Sequence, residues 1–244
     1  MNSFGARLIK WAVVVAMPVF LVLTATRIMF TGWFPRWEYA RPTFPADPYG
    51  FTQEDRLEYG LASITFLNSS LPPEQAVDIL AALRLPDSDQ ALFTPAELSH
   101  MVDVKRLTDR IWVVWWISLG IVVAGSAILL AGRASRRQGY LAWRNGGALT
   151  AVLLAALVVF ILLSWRTFFI MFHDVFFPPG TWTFDWENSL IRIFPDKFWF
   201  DAFSIPLVAV FLVSLVLWAL GYWLARRMPA QPDAGAMTVA AQKG

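Results

Sequence analysis

Four long runs of apolar residues alternate along this chain with segments that hold nearly all of its charge. Each run is close to the roughly 20 apolar residues that a helix needs to cross a bilayer. The pattern therefore predicts an all-α membrane protein with four transmembrane helices in one integral membrane domain, residues 1–244. The runs cover residues 8–30, 111–131, 148–166 and 203–225.

The first run has a second interpretation, as a cleaved signal peptide, because Arg7 and Lys10 precede it like a basic n-region. The run is long for that role, Pro18 interrupts it, and no small-x-small cleavage site precedes a polar start. These features favour a retained membrane anchor.

The positions of lysine and arginine predict the orientation in the membrane. The connection 132–147 holds four arginines and no acid, whereas every acidic residue except Asp233 lies in residues 31–110 or 167–202. We therefore expect both termini, the connection 132–147 and the tail 226–244 in the cytoplasm. The two acidic segments are expected outside.

The first outer segment carries signals for short helices that would form a helical extracytoplasmic cap. Thr52 followed by Asp55 is typical of a helix start, and residues 73–83 have the apolar spacing of a second helix. Thr94 and Glu97 form a capping-box pattern, with no helix breaker before the second apolar run. The cap is preceded by a stretch that is expected to be non-helical because it contains Pro35, Pro42, Pro45 and Pro48.

Composition excludes several functions. The chain is 57% hydrophobic with a net charge of +2, and its basic residues lie where topology requires them, so no basic stripe is left for nucleic acid. The absence of cysteine removes disulfides, thiolate nucleophiles and cysteine-based metal sites.

The chain contains two histidines, and the predicted topology places both on the outer side. His100 and Asp103 share a helix face at i and i+3, so Asp103 can orient the imidazole. The alternative is a surface pair at the start of a membrane helix. Lys105 lies about 140° away around that helix and needs a bend to reach the same pocket.

The second histidine, His173, and its neighbour Asp174 lie in an aromatic run that prolines 178 and 179 and Gly180 end, together with the third helix. Polar groups there need partners in a poorly hydrated setting, and snorkelling to the lipid headgroups is the alternative interpretation. Snorkelling also explains Arg27 and Arg166 at outer span ends. Arg27, which opposes the positive-inside trend, can instead bind a phosphate, a carboxylate or an oxyanion.

Other chemistries have weaker support in the sequence. The two histidines with Asp103 and Asp174 could in principle supply zinc ligands, but no HxxxH or HExxH helix is present. Ser99 and Ser189 lack the context of a nucleophile, and no G-x-S-x-G elbow occurs. We therefore expect no metal and no cofactor.

Three sequence elements resemble those of bacterial integral membrane proteins of the lipoprotein intramolecular transacylase (Lit) family. They are His-Met-x-Asp-Val-Lys at 100–105, Phe-His-x-x-Phe-Phe…Trp-x-Phe at 172–184, and Leu-Ile-x-x-Phe-Pro at 190–195. The resemblance extends from the first span to the fourth.

This resemblance implies an acyltransferase in the bacterial cytoplasmic membrane, with its active site at the outer leaflet. It would move the sn-2 acyl chain of a diacylglyceryl-cysteine lipoprotein to the α-amino group of the same cysteine, giving a lyso-form lipoprotein. The implied partners are diacylglyceryl-modified lipoproteins and membrane lipids. Because one substrate holds both amine and ester, proximity supplies much of the catalysis and no acyl-enzyme is required.

The resemblance also suggests roles for residues. His173 is expected to act as the base and His100, oriented by Asp103, as the acid, although the two roles can be exchanged. Asp174 would support this chemistry, and the oxyanion donor would be Arg27, Lys105 or the second histidine. Substrate contacts are expected from Arg166, Trp182, Phe176 and Phe177.

Two alternatives remain at this point. A non-enzymatic scaffold or assembly factor of the cell envelope would use the outer cap for docking. A lipid-handling enzyme using Ser99 or a bound metal is the other.

Overall fold

In a computed structural model, which describes residues 3–228, these residues form ten helices and no strand. The fold is therefore all-α, as the sequence predicted. The helices are α1 (Ser3–Met29), α2 (Trp33–Tyr39), α3 (Gln53–Asn68), α4 (Pro73–Ala76), α5 (Asp78–Ala81), α6 (Pro95–Ala131), α7 (Arg136–Leu163), α8 (Trp165–Phe176), α9 (Ser189–Ile193) and α10 (Asp196–Arg226).

Four of these helices, α1, α6, α7 and α10, are long and apolar enough to cross a membrane. Many of their large apolar side chains are exposed, as expected for surfaces that face lipid rather than water. The four predicted transmembrane helices are thus confirmed, and the chain is a multi-pass membrane protein. Exposed examples are Val113, Trp116, Ile117, Val152, Leu163 and Val216.

Helix α6 is longer than a bilayer requires. Its 37 residues extend about 55 Å, against roughly 30 Å of hydrocarbon. All of its charged residues lie between Glu97 and Arg110, and none lies in 111–131. The first four turns of α6, which carry His100, therefore lie outside the apolar span.

Four boundaries differ from the prediction. α7 begins at Arg136, inside the predicted connection 132–147, because arginines do not stop a helix that extends beyond its apolar run. Pro35 is in α2 rather than in a non-helical stretch, since a proline in the first helical turn removes no intrahelical bond. The predicted helix 73–83 is interrupted at Val77, and the third span ends at Leu163, because Ser164 leaves the helical conformation.

The chain divides into two compact units. The first comprises the described residues of 3–20, 117–153 and 211–228. Its helices approach closely at glycines: a Cβ on Gly147 would lie 2.5 Å from the Ser214 carbonyl oxygen, and one on Gly221 would lie 2.5 Å from the Arg144 nitrogen. Small residues allow such backbone contact between membrane helices.

The second unit, residues 21–116 and 154–210, contains the short helices and a core rich in aromatic side chains. The Tyr39 hydroxyl, buried in this core, donates to the Ile193 carbonyl at 2.8 Å and connects α2 to α9. The proline-rich segment is fixed by Asp47, which accepts hydrogen bonds from the Phe51 amide and from the Arg192 guanidinium. Both histidines belong to this unit.

Candidate active site

The two histidines meet, although 72 residues separate them in the chain. His100 is in the second turn of α6 and His173 is near the end of α8. Their ring centroids lie 6.3 Å apart, with the planes inclined by 26°. The fold therefore forms an imidazole pair from two helices of the second unit.

His100 lies in an aromatic pocket. It is 6% exposed, and its ring packs against Phe177 at 4.9 Å and Phe184 at 5.6 Å between centroids. Its Nδ1 is buried and bonds to no group among residues 3–228. Burial, and then the nearby His173, lower the pKa of His100 to about 4, against a weaker opposing effect of Asp103. His100 is neutral at neutral pH.

His173 has a defined tautomer. Its Nδ1 lies 2.8 Å from the carbonyl oxygen of Phe169, one turn earlier in α8. A carbonyl can only accept, so Nδ1 carries the proton and Nε2 keeps a free lone pair. Burial lowers the pKa of His173, while the hydrogen bond to Phe169 and the charge of Asp174 oppose that shift.

A break in the helix before α8 places His173 on a separate short helix. Ser164 leaves the helical conformation, and α8 starts at Trp165 as a separate helix that ends at Phe176. Sequence patterning predicted one helix through this region, because Ser164 is a small interruption in a continuous apolar run. His173 is consequently carried by a 12-residue helix rather than by the third span itself.

Glu97 connects the two halves of the site. It is fully buried, and its Oε2 accepts from the Thr94 amide at 2.7 Å in the capping box that the sequence predicted. Its Oε1 accepts from the Leu190 amide at 2.7 Å. One carboxylate therefore fixes both the start of α6, three residues before His100, and the start of α9. The capping pattern marks Glu97 in the sequence, but no local signal reveals the contact with Leu190.

Two predicted supporting residues have other partners. Asp103 accepts from Arg106 at 2.7 Å and bonds to neither histidine, so it acts on His100 through charge alone. Lys105 is fully buried, and its Nζ donates to the Ser69 carbonyl at 2.8 Å and to Asp109 at 3.1 Å.

The predicted substrate contacts divide into two groups. Phe177 is buried and touches both imidazoles, and the Trp182 ring lies 4.8 Å from the His173 ring. Phe176 is 47% exposed, and Arg166 and Asp174 are exposed as well. The structure also places Phe184, the last residue of the 172–184 element, in the walls of the pair, and adds Phe169, which the sequence did not mark.

Trp182 has an unused donor. Its Nε1 is buried and bonds to no group in the described part of the chain. A buried N–H without an acceptor is costly, so an ordered water or a bound ligand is expected to supply one. The site therefore offers two neutral imidazoles and an indole N–H inside an aromatic wall.

Two further residues considered from the sequence, Arg27 and Ser99, are not part of the aromatic wall around the histidine pair. The Arg27 guanidinium packs over Trp112 at 5.0 Å and Trp115 at 4.8 Å, and it lines a cavity that contains neither histidine. Ser99 is exposed, unlike its neighbour His100. Within residues 3–228, no three His, Asp or Glu side chains are close enough to share a metal ion.

These features define a class: a multi-pass membrane protein whose two histidines form one aromatic-lined site. A family model described as "Lipoprotein intramolecular transacylase Lit" matches residues 11–199. The chain belongs to this family, and it is accordingly an acyltransferase that acts in lipoprotein modification. Family membership supports the enzyme over the non-enzymatic scaffold.

Comparisons with individual proteins agree with this assignment. An uncharacterized protein of Aquifex aeolicus is 29% identical over 211 residues, which cover 86% of this chain and 92% of that protein. The in meso structure of Lit from Bacillus cereus is similar with a TM-score of 0.76 and 23% identity, covering 93% of this chain and 98% of that one. A second Bacillus cereus structure, with one histidine replaced by alanine, has a TM-score of 0.68 at 23% identity and covers 92% and 95%.

Proposed function

We propose that this chain transfers the sn-2 acyl chain of a diacylglyceryl-modified cysteine to the α-amino group of that cysteine, giving a lyso-form lipoprotein. Family membership supports the reaction class. The observation that carries the mechanism is the neutral imidazole pair, in which the Phe169 carbonyl sets the tautomer of His173.

His173 is the base. Its Nε2 lone pair accepts the proton from the attacking amine, while the Phe169 carbonyl supports the positive charge that develops on the ring. The exposed Asp174 adds to that support. His100 lacks comparable stabilisation of its charged form, because His173 itself opposes a second positive charge nearby.

His100 is a neutral hydrogen-bond donor. With a pKa of about 4 it carries no extra proton at neutral pH, so it polarises the ester carbonyl rather than protonating it. The buried Trp182 N–H is the second donor to the oxyanion. Of the three expected oxyanion donors, Arg27, Lys105 and the second histidine, this mechanism uses the histidine, since Lys105 is bonded to Ser69 and Asp109. Arg27 packs over Trp112 and Trp115 instead.

The reaction balances without a co-reactant. The amine nitrogen adds to the sn-2 carbonyl carbon, and its proton passes to Nε2 of His173. Collapse of the tetrahedral intermediate breaks the bond to the glycerol oxygen, and the His173 imidazolium returns the proton to that oxygen. The new glycerol hydroxyl and the new amide belong to the same product molecule. The aromatic wall of Phe177 and Phe184 limits access of water to the ester.

The proposed active site is at the outer leaflet, with both termini in the cytoplasm. Acidic residues dominate residues 31–110 and 167–202, and arginines dominate the connection 132–147, as the positive-inside rule requires for this orientation. A diacylglyceryl lipoprotein anchored in the outer leaflet would present its ester near the polar end of α6, where His100 lies.

The test is expression in a bacterial strain that lacks other lipoprotein N-acylation, followed by mass spectrometry of a lipoprotein N terminus. The wild-type chain should give the N-acylated lyso form. His173→Ala and His100→Ala should each reduce its rate of formation by about 10²–10⁴-fold.

Val175→Ala is the matched control, because Val175 is on the same helix as His173 and is 73% exposed. This variant should keep wild-type activity. Full activity in both histidine variants would refute the mechanism, and a free amine with wild-type protein present in the membrane would refute the reaction.

A further inference from the structure

A second, separate cavity of about 650 Å³ opens where the end of α1 meets the end of α3. It shares no lining residue with the histidine pair and holds one cation and no acid. The Asn68 side chain donates to the Phe30 carbonyl at 2.8 Å and thereby fixes the two helix ends to each other. Its lining includes Arg27, Phe30, Thr31, Asn68, Ser69 and Ser70.

The charge of Arg27 is not balanced by any acid in residues 3–228, within ion-pair distance. The guanidinium is instead held over the indoles of Trp112 and Trp115. Four arginines of the predicted outer segments face a carboxylate, namely Arg41, Arg56, Arg106 and Arg192. Arg110, like Arg27, forms no ion pair within residues 3–228, but only Arg27 lines the cavity.

A buried ammonium lies behind one wall of this cavity. Lys105 is fully buried and donates to the carbonyl of Ser69, on the cavity wall, at 2.8 Å. Its charge is paired with the half-exposed carboxylate of Asp109 at 3.1 Å. Arg27 is therefore the cation of the lining that has no acidic partner among residues 3–228.

Hydroxyl donors complete the lining. The Ser69 Oγ accepts from the Leu71 amide at 3.1 Å, which leaves its own hydrogen free to donate. Thr31 and Thr65, in contrast, already donate to backbone carbonyls. A guanidinium and a serine hydroxyl in the lining of one cavity suit an anion with several oxygens.

We propose that this cavity binds an anionic phosphate group. The apolar wall formed by Phe30, Ile64 and Ile79 is next to the charged end, as a phospholipid headgroup with its acyl chains would require. Free phosphate offers the same oxygens without the chains. The π contacts hold the guanidinium in place before the anion arrives, which reduces the entropy cost of binding.

The experiment is native mass spectrometry of the full chain with a phosphatidylglycerol and with the diacylglycerol that lacks the phosphate. Wild-type protein should retain the phosphatidylglycerol, and Arg27→Gln should bind it about tenfold more weakly. Diacylglycerol should show no difference between the two proteins.

Arg110→Gln is the matched control, since Arg110 is exposed at the start of an apolar run and does not line the cavity. It should retain phosphatidylglycerol like the wild type. Displacement of the lipid by millimolar inorganic phosphate, lost in Arg27→Gln, would identify free phosphate as the ligand source. Equal lipid retention by wild type and Arg27→Gln, or an equal loss in Arg110→Gln, would overturn the proposal.

Discussion

The carbonyl of Phe169 sets the tautomer of His173, because it accepts a hydrogen bond from Nδ1–H and so leaves the lone pair on Nε2. The donor and the acceptor lie one turn apart on the same helix, so the tautomer depends on α8 alone. No triad carboxylate is needed for this purpose. This differs from the expected pairing of a histidine with Asp103, whose hydrogen bond is to Arg106.

Trp182→Phe tests the indole donor. It keeps the aromatic contact with His173 but removes the buried N–H, so acyl transfer should slow by about 100-fold with little change in apparent substrate affinity. Time courses of lyso-form production, measured by mass spectrometry at several substrate concentrations, separate the two effects. Trp186→Phe, at a site that is 70% exposed, should react at the wild-type rate. Equal rates for both variants would exclude Trp182 as the donor.

His100 makes stability depend on pH. Its pKa falls from 6.5 in the unfolded chain to about 4 in the fold, so the unfolded state binds more protons between those values. The stabilisation is complete above pH 6.5 and is lost as the pH falls towards 4. Between pH 7 and 5 this amounts to about 2 kcal/mol.

Thermal unfolding in detergent at each pH measures this effect. The melting temperature of the wild type should fall from pH 7 to 5, and that of His100→Gln should fall less, because the variant lacks the titrating group. Parallel curves for the two proteins would contradict the burial of a neutral His100.

At the scale of elements, capping chemistry was the most predictive sequence signal. Thr52 and Asp55 form the capping box that starts α3, and Thr94 and Glu97 do the same for α6. Two helix ends without such chemistry were misplaced, the α7 start at Arg136 and the α7 end at Leu163, whereas the end of α6 at Ala131 was predicted. Hydropathy shows which part of a helix is apolar, but the helix itself can start before that part or end within it.

Glu97→Ala should be costly because it removes two acceptors at once, one for the α6 start and one for the Leu190 amide. We expect a loss of about 2–3 kcal/mol in unfolding free energy, together with lower activity as α9 shifts. Denaturant or thermal unfolding measures the loss. Glu54→Ala removes an exposed first-turn carboxylate from α3 and should change stability by less than about 0.5 kcal/mol. Similar losses for both variants would mean that Glu97 has no special role.

For the whole molecule, the predicted orientation can be tested cleanly because the chain contains no cysteine. Asp89→Cys places a thiol in the first outer segment, and Arg133→Cys places one in the basic connection. A membrane-impermeant maleimide applied to intact spheroplasts should label the first and not the second. Labelling of the Arg133→Cys variant alone would show that the chain has the opposite orientation in the membrane.

The sequence predicted the spans and singled out the two histidines, Phe177 and Trp182, because hydropathy and family motifs are local signals. The structure brings these four side chains together. The sequence did not predict the contact of Glu97 with Leu190, or the placement of Lys105 against Ser69. Those contacts join distant parts of the chain, and each uses a backbone group, which carries no sequence signature.

Helix α8 has no buried residue, although it carries the proposed base. Its exposed side chains include Met171, Val175 and Phe176, which suit an acyl-chain environment better than water. We expect the bilayer to contact α8 from the side that the protein leaves open, and so to help position the proposed base. Lipid thickness and detergent choice should consequently change the rate of acyl transfer without any change in the reacting groups.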